Sequence, residues 1–219
     1  MRSAISVTPE TPAPWAVLPV KAFDAAKSRL ASEVSADGRR CLAQQLMLTC
    51  LDALIASKAL AGVLVVSSDA RALALARERG AEALSEPGFG LNPALEAARG
   101  ALAASASALL VVAADLPFVT VEDIRLLLDG AAGASVAIVP DRRRSGTNAL
   151  LLQPPNAISF AFGEGSFERH LALAAAAGRE ARVIDLPNLA FDLDTPADLA
   201  ELREADWPRL TLTGLRSLR

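Results

Sequence analysis

The sequence predicts an α/β fold: a single domain with a mostly parallel, mixed sheet and helices on both faces. Three observations carry this expectation. Short apolar runs such as "WAVLPV" (15–20) and "GVLVVSS" (62–68) read as buried strands. Segments with helical spacing lie between them, and such alternation is the signature of a parallel sheet. The chain has 219 residues, 52% of them hydrophobic, enough for the core of one α/β unit.

The elements follow in order. Residues 1–14, rich in Pro, Thr and Ser, read as a flexible N-terminal leader ahead of a folded domain over 15–219. After the strand at 15–20, "GRRCLAQQLMLTCLDALIAS" (38–57) has helical spacing. "DARALALARERG" (69–80) is a helix closed by Gly80. A short strand near 81–84, a helix from Asn92 to about 104, a strand at 108–113 and a helix after Thr120 continue the rhythm. "ASVAIVPD" (134–141) and "TNALLLQP" (147–154) are strands joined by a polar turn. A helix from Ser166 to Gly178, a strand at 181–186 and a last helix from Pro196 complete the chain.

The balance of charge excludes some functions. A net charge of -3 argues against a broad basic face for nucleic acid, whose binders draw affinity from many Lys and Arg contacts to phosphates. No apolar run approaches the roughly 18 residues of a membrane span, and the N-terminus has no continuous hydrophobic region of the signal-peptide type. Cys41 and Cys50 fall in one predicted helix, separated by about 13 Å of rise, too far for a disulfide within it. Both are expected to be buried thiols in a reducing cytoplasm.

Familiar nucleotide motifs are missing. No G-x-G-x-x-G follows the first strand, and "VKAFDAAKSRL" has the Lys-Ser of a P-loop without its glycines. The loop after that strand carries Lys21, Lys27 and Arg29. It is either a solvated basic turn or a clamp on a polyphosphate at a strand's carboxyl end, where ligands of α/β sheets collect.

Carboxylates raise a sharper question. In "VVAADLPFV" (111–119) a buried strand runs into Asp115, and Leu-Pro then ends the pairing. "FDLDTPADL" (191–199) carries Asp192 and Asp194 two residues apart, on one side of an extended chain, with Phe191 and Leu193 on the other. Thr195, Pro196 and Asp198 are explained as a helix start with a variant of the capping box. Asp192 and Asp194 precede the cap and are not. Neighbouring carboxylates repel, by about 4 kcal/mol for a pair at ~4 Å and an effective dielectric of 20. A divalent cation held by hard oxygen ligands removes the conflict, and without His or Cys partners Mg²⁺ is the natural one.

"FGEGSFERH" (162–170) supplies a second candidate region. Gly163 and Gly165 permit a tight turn, and Ser166 opens a helix, either as a simple N-cap or as part of an anion site made by free amides. "PDRRRSGTNALL" adds three arginines, Gly146 and Thr147 at a polar turn. His170, the sole histidine, reads as a supporting residue one turn later.

Taken in order, "LPVKAFDAAKSRL", "VVSSD", "GLNPAL", "ADLPFV", "GTNALL", "FGEGSFERH" and "DLDTPADL" span residues 15–202. The set resembles the guanylyltransferases that activate a phosphorylated three-carbon acid for coenzyme F420 biosynthesis. "ADLP" and "DTPADL" are shared with many nucleotidyltransferases of the glycosyltransferase-A-like fold, molybdenum-cofactor guanylyltransferases among them; "KSRL", "GTN" and "FGxGS" discriminate more. The resemblance makes 15–219 a nucleotidyltransferase domain. It implies that GTP and 2-phospho-L-lactate, phosphoenolpyruvate or 3-phospho-D-glycerate give a GMP-linked diphosphate and pyrophosphate. By motif position, Asp115, Asp192 and Asp194 would carry Mg²⁺, with Asp194 favoured within the pair. Lys21, Lys27 and Arg29 would hold the triphosphate, and Lys21, Lys27 and Asp115 would be catalytic. Gly90 and Asn92 would lie near the nucleoside, although Asn92 also suits an N-cap before Pro93. Thr147, Gly163 and Ser166 would hold the acid. A homodimer is compatible with this reading.

The chemistry is consistent with it. A phosphomonoester has a second pKa near 6, so its oxygen attacks without a general base. Two rival classes stay open: a nucleotide-sugar-dependent glycosyltransferase, which releases nucleoside diphosphate, and a non-catalytic nucleotide-binding regulator.

Overall fold

Seven strands form one sheet in the computed structural model, which describes residues 13–86 and 90–204. They are β1 (Trp15–Val20), β2 (Gly62–Ser67), β3 (Glu82–Ser85), β4 (Leu109–Val112), β5 (Val136–Pro140), β6 (Thr147–Leu152) and β7 (Ala181–Val183). Their order across the sheet is β3-β2-β1-β4-β6-β5-β7. Only β6 runs against its neighbours, β4 and β5; the other pairs are parallel.

The period-two pattern of the strands sorts residues to the two faces. Ala16, Leu18 and Val20 of β1 and Leu110 and Val112 of β4 share a core with α1 (Ala36–Ser57), α2 (Ala70–Glu78) and α4 (Val121–Gly130). Val17, Leu109 and Val111 enter a second core with α3 (Leu91–Ala101) and α5 (Ser166–Ala176). Helices therefore cover both faces, as the alternation predicts. Full burial of each Leu or Val side chain contributes about 1.5–3 kcal/mol before entropy is counted.

A third, smaller cluster matters most for the site. Leu30, Val34, Leu42 and Leu46 pack with Leu193, Leu199 and Leu202, the last two from α7 (Pro196–Glu204). This apolar seam fastens the loop after β1 to the segment before α7. It brings Lys27 and Arg29 beside Asp194.

Several local expectations need correction. The loop after β1 contains two 3-10 turns, Phe23–Ala25 and Ser28–Leu30, too short to register as a period. The strand expected at 181–186 stops at Val183, because it is an edge strand paired only with β5, and α6 (Pro187–Ala190) soon follows. Cys50 is buried as expected, with its Sγ 3.6 Å from the Leu116 carbonyl, but Cys41 lies on the exposed side of α1. Twelve residues of the predicted leader, and the chain beyond residue 204, lie outside the described residues. Among the described residues no helix is long and apolar enough to cross a membrane.

Candidate active site

The basic loop is tied down at its root by residues of "VVSSD". Ser67 Oγ donates to the Val20 carbonyl at 2.7 Å and accepts from the Asp69 amide at 3.0 Å. Asp69 caps α2 and also accepts from the Phe23 amide at 2.9 Å. Lys27 then adopts the left-handed region (φ 54°, ψ 32°), which costs an L-residue roughly 1–2 kcal/mol. Its reward is electrostatic. The ammonium donates to Asp115 Oδ2 at 2.7 Å and to Asp194 Oδ1 at 3.2 Å, with only 7% of the side chain exposed. Burial alone would lower the Lys27 pKa, but the two carboxylates together hold it above its ordinary value. Arg29, largely exposed, reaches Asp194 Oδ2 at 3.5 Å.

The two acidic segments lie side by side. The Leu193 amide donates to the Asp115 carbonyl at 3.1 Å, and Phe118 meets Phe191 edge-on at 4.8 Å. The expected alternation holds across 191–194: Phe191 and Leu193 are buried, Asp192 and Asp194 half-buried. The capping box is present, with the Thr195 amide donating to Asp198 Oδ2 at 2.7 Å and the Asp198 amide to Thr195 Oγ1 at 3.3 Å. Among the described residues no cationic side chain pairs with Asp192. Burial first, and then Asp115, push it up to about 6, against the lowering effect of an Asn148 amide at 3.4 Å.

Lys27, Asp115 and Asp194, but not Asp192, line a cleft of about 840 Å³ at the carboxyl ends of the parallel strands, together with Lys21, Arg29 and Gly90 among others. Ser68, Glu86 and Leu91 also line it. Ser68 and Leu91 belong to "VVSSD" and "GLNPAL" but are not among the site residues those motifs single out, and Glu86 lies in no motif.

The remaining predicted residues lie outside this lining. Asn92 is not the N-cap of its helix. Gly90 is the N-cap of α3. Both polar ends of the Asn92 side chain are taken by the Phe162 main chain, with Phe162 N–H donating to Oδ1 at 2.8 Å and Nδ2 donating to the carbonyl at 3.1 Å. Asn92 thus braces the segment leading to Gly163. Thr147 is buried at the start of β6, its Oγ1 3.0 Å from His170 Nδ1. Gly163 has φ +117°, which a larger residue rarely adopts. Ser166 is buried but is not the N-cap: that position is Gly165, in the left-handed region. The amides of Ser166 and Phe167 already donate to the Gly163 and Ser145 carbonyls, so the helix start is less open than free amides would be.

The run Arg142–Arg144 is largely structural. Arg142 bonds Asp198 and Glu201, each at 2.7 Å, and stacks on Phe191 at 3.9 Å, clamping α7. Arg144 pairs with Asp185 at 2.9 Å.

The donor set suits a hard divalent cation. Asp115 and Asp194 converge on one positive centre, now Lys27 Nζ, and Asp192 is a half-buried carboxylate that no cationic side chain pairs among the described residues. Among the described residues no three His, Cys, Asp or Glu side chains are grouped so as to hold a metal ion by themselves, so Asp115, Asp192 and Asp194 do not form a complete cage.

His170 gives a pH prediction. Burial first, then Arg169, lower its pKa to about 4. The unfolded chain therefore takes up the proton near pH 6.5 and the folded one only near 4. The contribution to stability is complete above about 6.5 and is lost as pH falls through 4, amounting to roughly 3 kcal/mol. Urea unfolding between pH 7 and 4 is expected to show this acid-side loss in the wild type and its absence in His170→Gln, with equal slopes contradicting it.

A cleft at the ends of parallel strands, with lysines and aspartates facing each other across it, defines a nucleotidyltransferase-type α/β fold. The chain belongs to the family described as guanylyl transferase CofC like, whose profile matches residues 15–206. It is 46% identical to a phosphoenolpyruvate guanylyltransferase of Sphaerobacter thermophilus over 85% of this chain and 91% of that one. It is 47% identical to a protein of the same name from Rubrobacter xylanophilus, over 86% and 92%. A solved nucleotidyl transferase from Methanothermobacter superposes with a TM-score of 0.63 at 15% identity, covering 90% of this chain and 98% of that one, and so shares the fold.

Proposed function

We propose that this protein transfers GMP from GTP to a phosphorylated three-carbon acid, releasing pyrophosphate, as a step of coenzyme F420 biosynthesis. Phosphoenolpyruvate is the acid favoured by the names of the relatives above. The observation that carries the reading is the convergence of Lys27, Asp115 and Asp194 within a cleft that Lys21 and Arg29 also line.

An oxygen of the acid's phosphate attacks the α-phosphorus of GTP, and the bond from that phosphorus to the β-bridging oxygen breaks. Pyrophosphate leaves with the electron pair. The attacking phosphate is already ionised at neutral pH, so no side chain has to remove a proton. Lys21, Lys27 and Arg29 hold the triphosphate and offset the charge that gathers on it. Thr147, Gly163 and Ser166 hold the acid. Asp115 and Asp194, with Asp192 alongside, would hold Mg²⁺, which supplies charge neutralisation at the phosphoryl oxygens.

The test is a pyrophosphate-release screen crossing four nucleoside triphosphates with the three candidate acids. Turnover confined to GTP with one of the acids is expected; release of nucleoside diphosphate would assign the cleft to a sugar transferase instead. The two halves of the site should also separate. Losing a hydroxyl contact to a charged group costs about 1.5–3 kcal/mol, or roughly ten- to a hundredfold. Thr147→Val and Ser166→Ala are therefore expected to raise the KM for the acid by that factor, with little change for GTP. Since Gly165 holds the N-cap position, Ser166→Ala loses no cap. Loss of GTP binding with unchanged saturation by the acid would reverse the assignment.

A further inference from the structure

His170 is fully buried, and both of its ring nitrogens are engaged. The Ala161 main-chain amide lies 3.1 Å from Nε2. An amide N–H can only donate, so Nε2 must present its lone pair. A neutral imidazole has a single N–H, and here it falls on Nδ1. The neutral form is the one that burial favours. Nδ1–H then donates to Thr147 Oγ1 at 3.0 Å, and the hydroxyl accepts. The hydroxyl's own proton meets no second acceptor among the described residues and is left to donate elsewhere.

The ring is also held in place. Phe162 packs edge-on against it at 4.9 Å, and Asn92 fixes the Phe162 main chain through its amide and its carbonyl. Rotating the imidazole would break the bond to Ala161 and disturb this contact together.

We propose that His170 is a positioning residue that, by donating to the Thr147 hydroxyl, leaves that hydroxyl's own proton free to donate to an anionic oxygen of the phosphorylated acid. The inference rests on Thr147 contacting the acid, as proposed above. A threonine hydroxyl ordinarily rotates between donating and accepting. With Nδ1–H on one of its two lone pairs and its proton uncommitted, it favours an ionised phosphate or carboxylate oxygen over a ligand that offers only an N–H or O–H at that point.

The first test is the tautomer, measured on the wild-type chain by ¹⁵N NMR, where a single histidine makes assignment unambiguous. Nδ1 is expected to be protonated and Nε2 unprotonated at neutral pH; the reverse overturns the proposal, whether or not any variant folds. The second test compares two amides. His170→Asn can keep an N–H near the Nδ1 position, whereas His170→Gln places its amide near Nε2 and leaves Thr147 without its donor. His170→Gln is expected to raise the KM for the acid about three- to tenfold, the scale of one net hydrogen bond, with kcat and the KM for GTP nearly unchanged. His170→Asn is expected to stay close to wild type. Equal losses in both variants would mean a merely structural role and overturn the proposal. Thr147→Val leaving the acid's KM untouched, with Nδ1 protonated, would instead overturn the placing of the acid at Thr147, and the two failures are thereby distinguished.

Discussion

Asp115→Asn and Asp194→Asn are each expected to cut GMP transfer by at least about a hundredfold, the scale of removing one preorganised electrostatic contact in an active site. The two carboxylates converge on one cationic centre, at 2.7 and 3.2 Å from Lys27 Nζ. An amide keeps the hydrogen bond from Lys27 but lacks the charge to hold a divalent cation against the triphosphate. Folding should survive, because either variant leaves Lys27 a second carboxylate. Steady-state kinetics with urea unfolding on the same preparations checks both parts. Near-wild-type turnover in both variants would remove the metal-binding role from these residues.

Lys27→Ala is expected to have a double effect. The sequence suggests a ligand-facing cation whose loss leaves unfolding unchanged. The structure revises this, since the side chain is buried between Asp115 and Asp194. Removing it leaves two partly exposed carboxylates facing each other, with only Arg29 nearby, at a cost of about 1–3 kcal/mol once solvent screening is allowed for. The KM for GTP should also rise roughly ten- to a hundredfold, as for loss of a charged contact to phosphate. Because Lys27 pairs the carboxylates proposed to take Mg²⁺, added Mg²⁺ should raise the variant's Tm more than that of the wild type. A Tm equal to wild type with and without Mg²⁺, together with an unaltered KM for GTP, would restore the view of this loop as a solvated turn.

What could be read in advance follows the range of the interactions involved. The strands at 15–20, 62–67 and 109–112 are visible because burial on two faces makes them almost wholly apolar, and the Thr195–Asp198 cap is visible because its partners are three residues apart. Asp192 and Asp194 stood out because capping did not explain them. The order of strands, with β6 reversed between β4 and β5, depends on pairings distant in sequence and leaves no local trace.

The same limit applies within the site. Lys27 and Asp194 meet across 167 residues, and Asn92 reaches Phe162 across 70. Neither contact has a spacing to detect. Asn92 and Ser166 suit a helix start by residue type, yet glycines with positive φ take both N-cap positions, freeing the neighbouring side chains for other contacts. The basic run at 142–144 reads only as a polar turn, and the pairing of Arg142 with Asp198 and of Arg144 with Asp185 shows where most of its charge goes.

The central claim is that the phosphate of the acid attacks the α-phosphorus of GTP, and oxygen labelling tests it most directly. Phosphoenolpyruvate with ¹⁸O in the non-bridging oxygens of its phosphate would be turned over with unlabelled GTP, and the products resolved by ³¹P NMR and mass spectrometry. The account predicts a GMP-linked diphosphate that keeps all of the label, one labelled oxygen now bridging the two phosphorus atoms, and pyrophosphate that carries none. Release of GDP or free GMP, or label in the pyrophosphate, would contradict it.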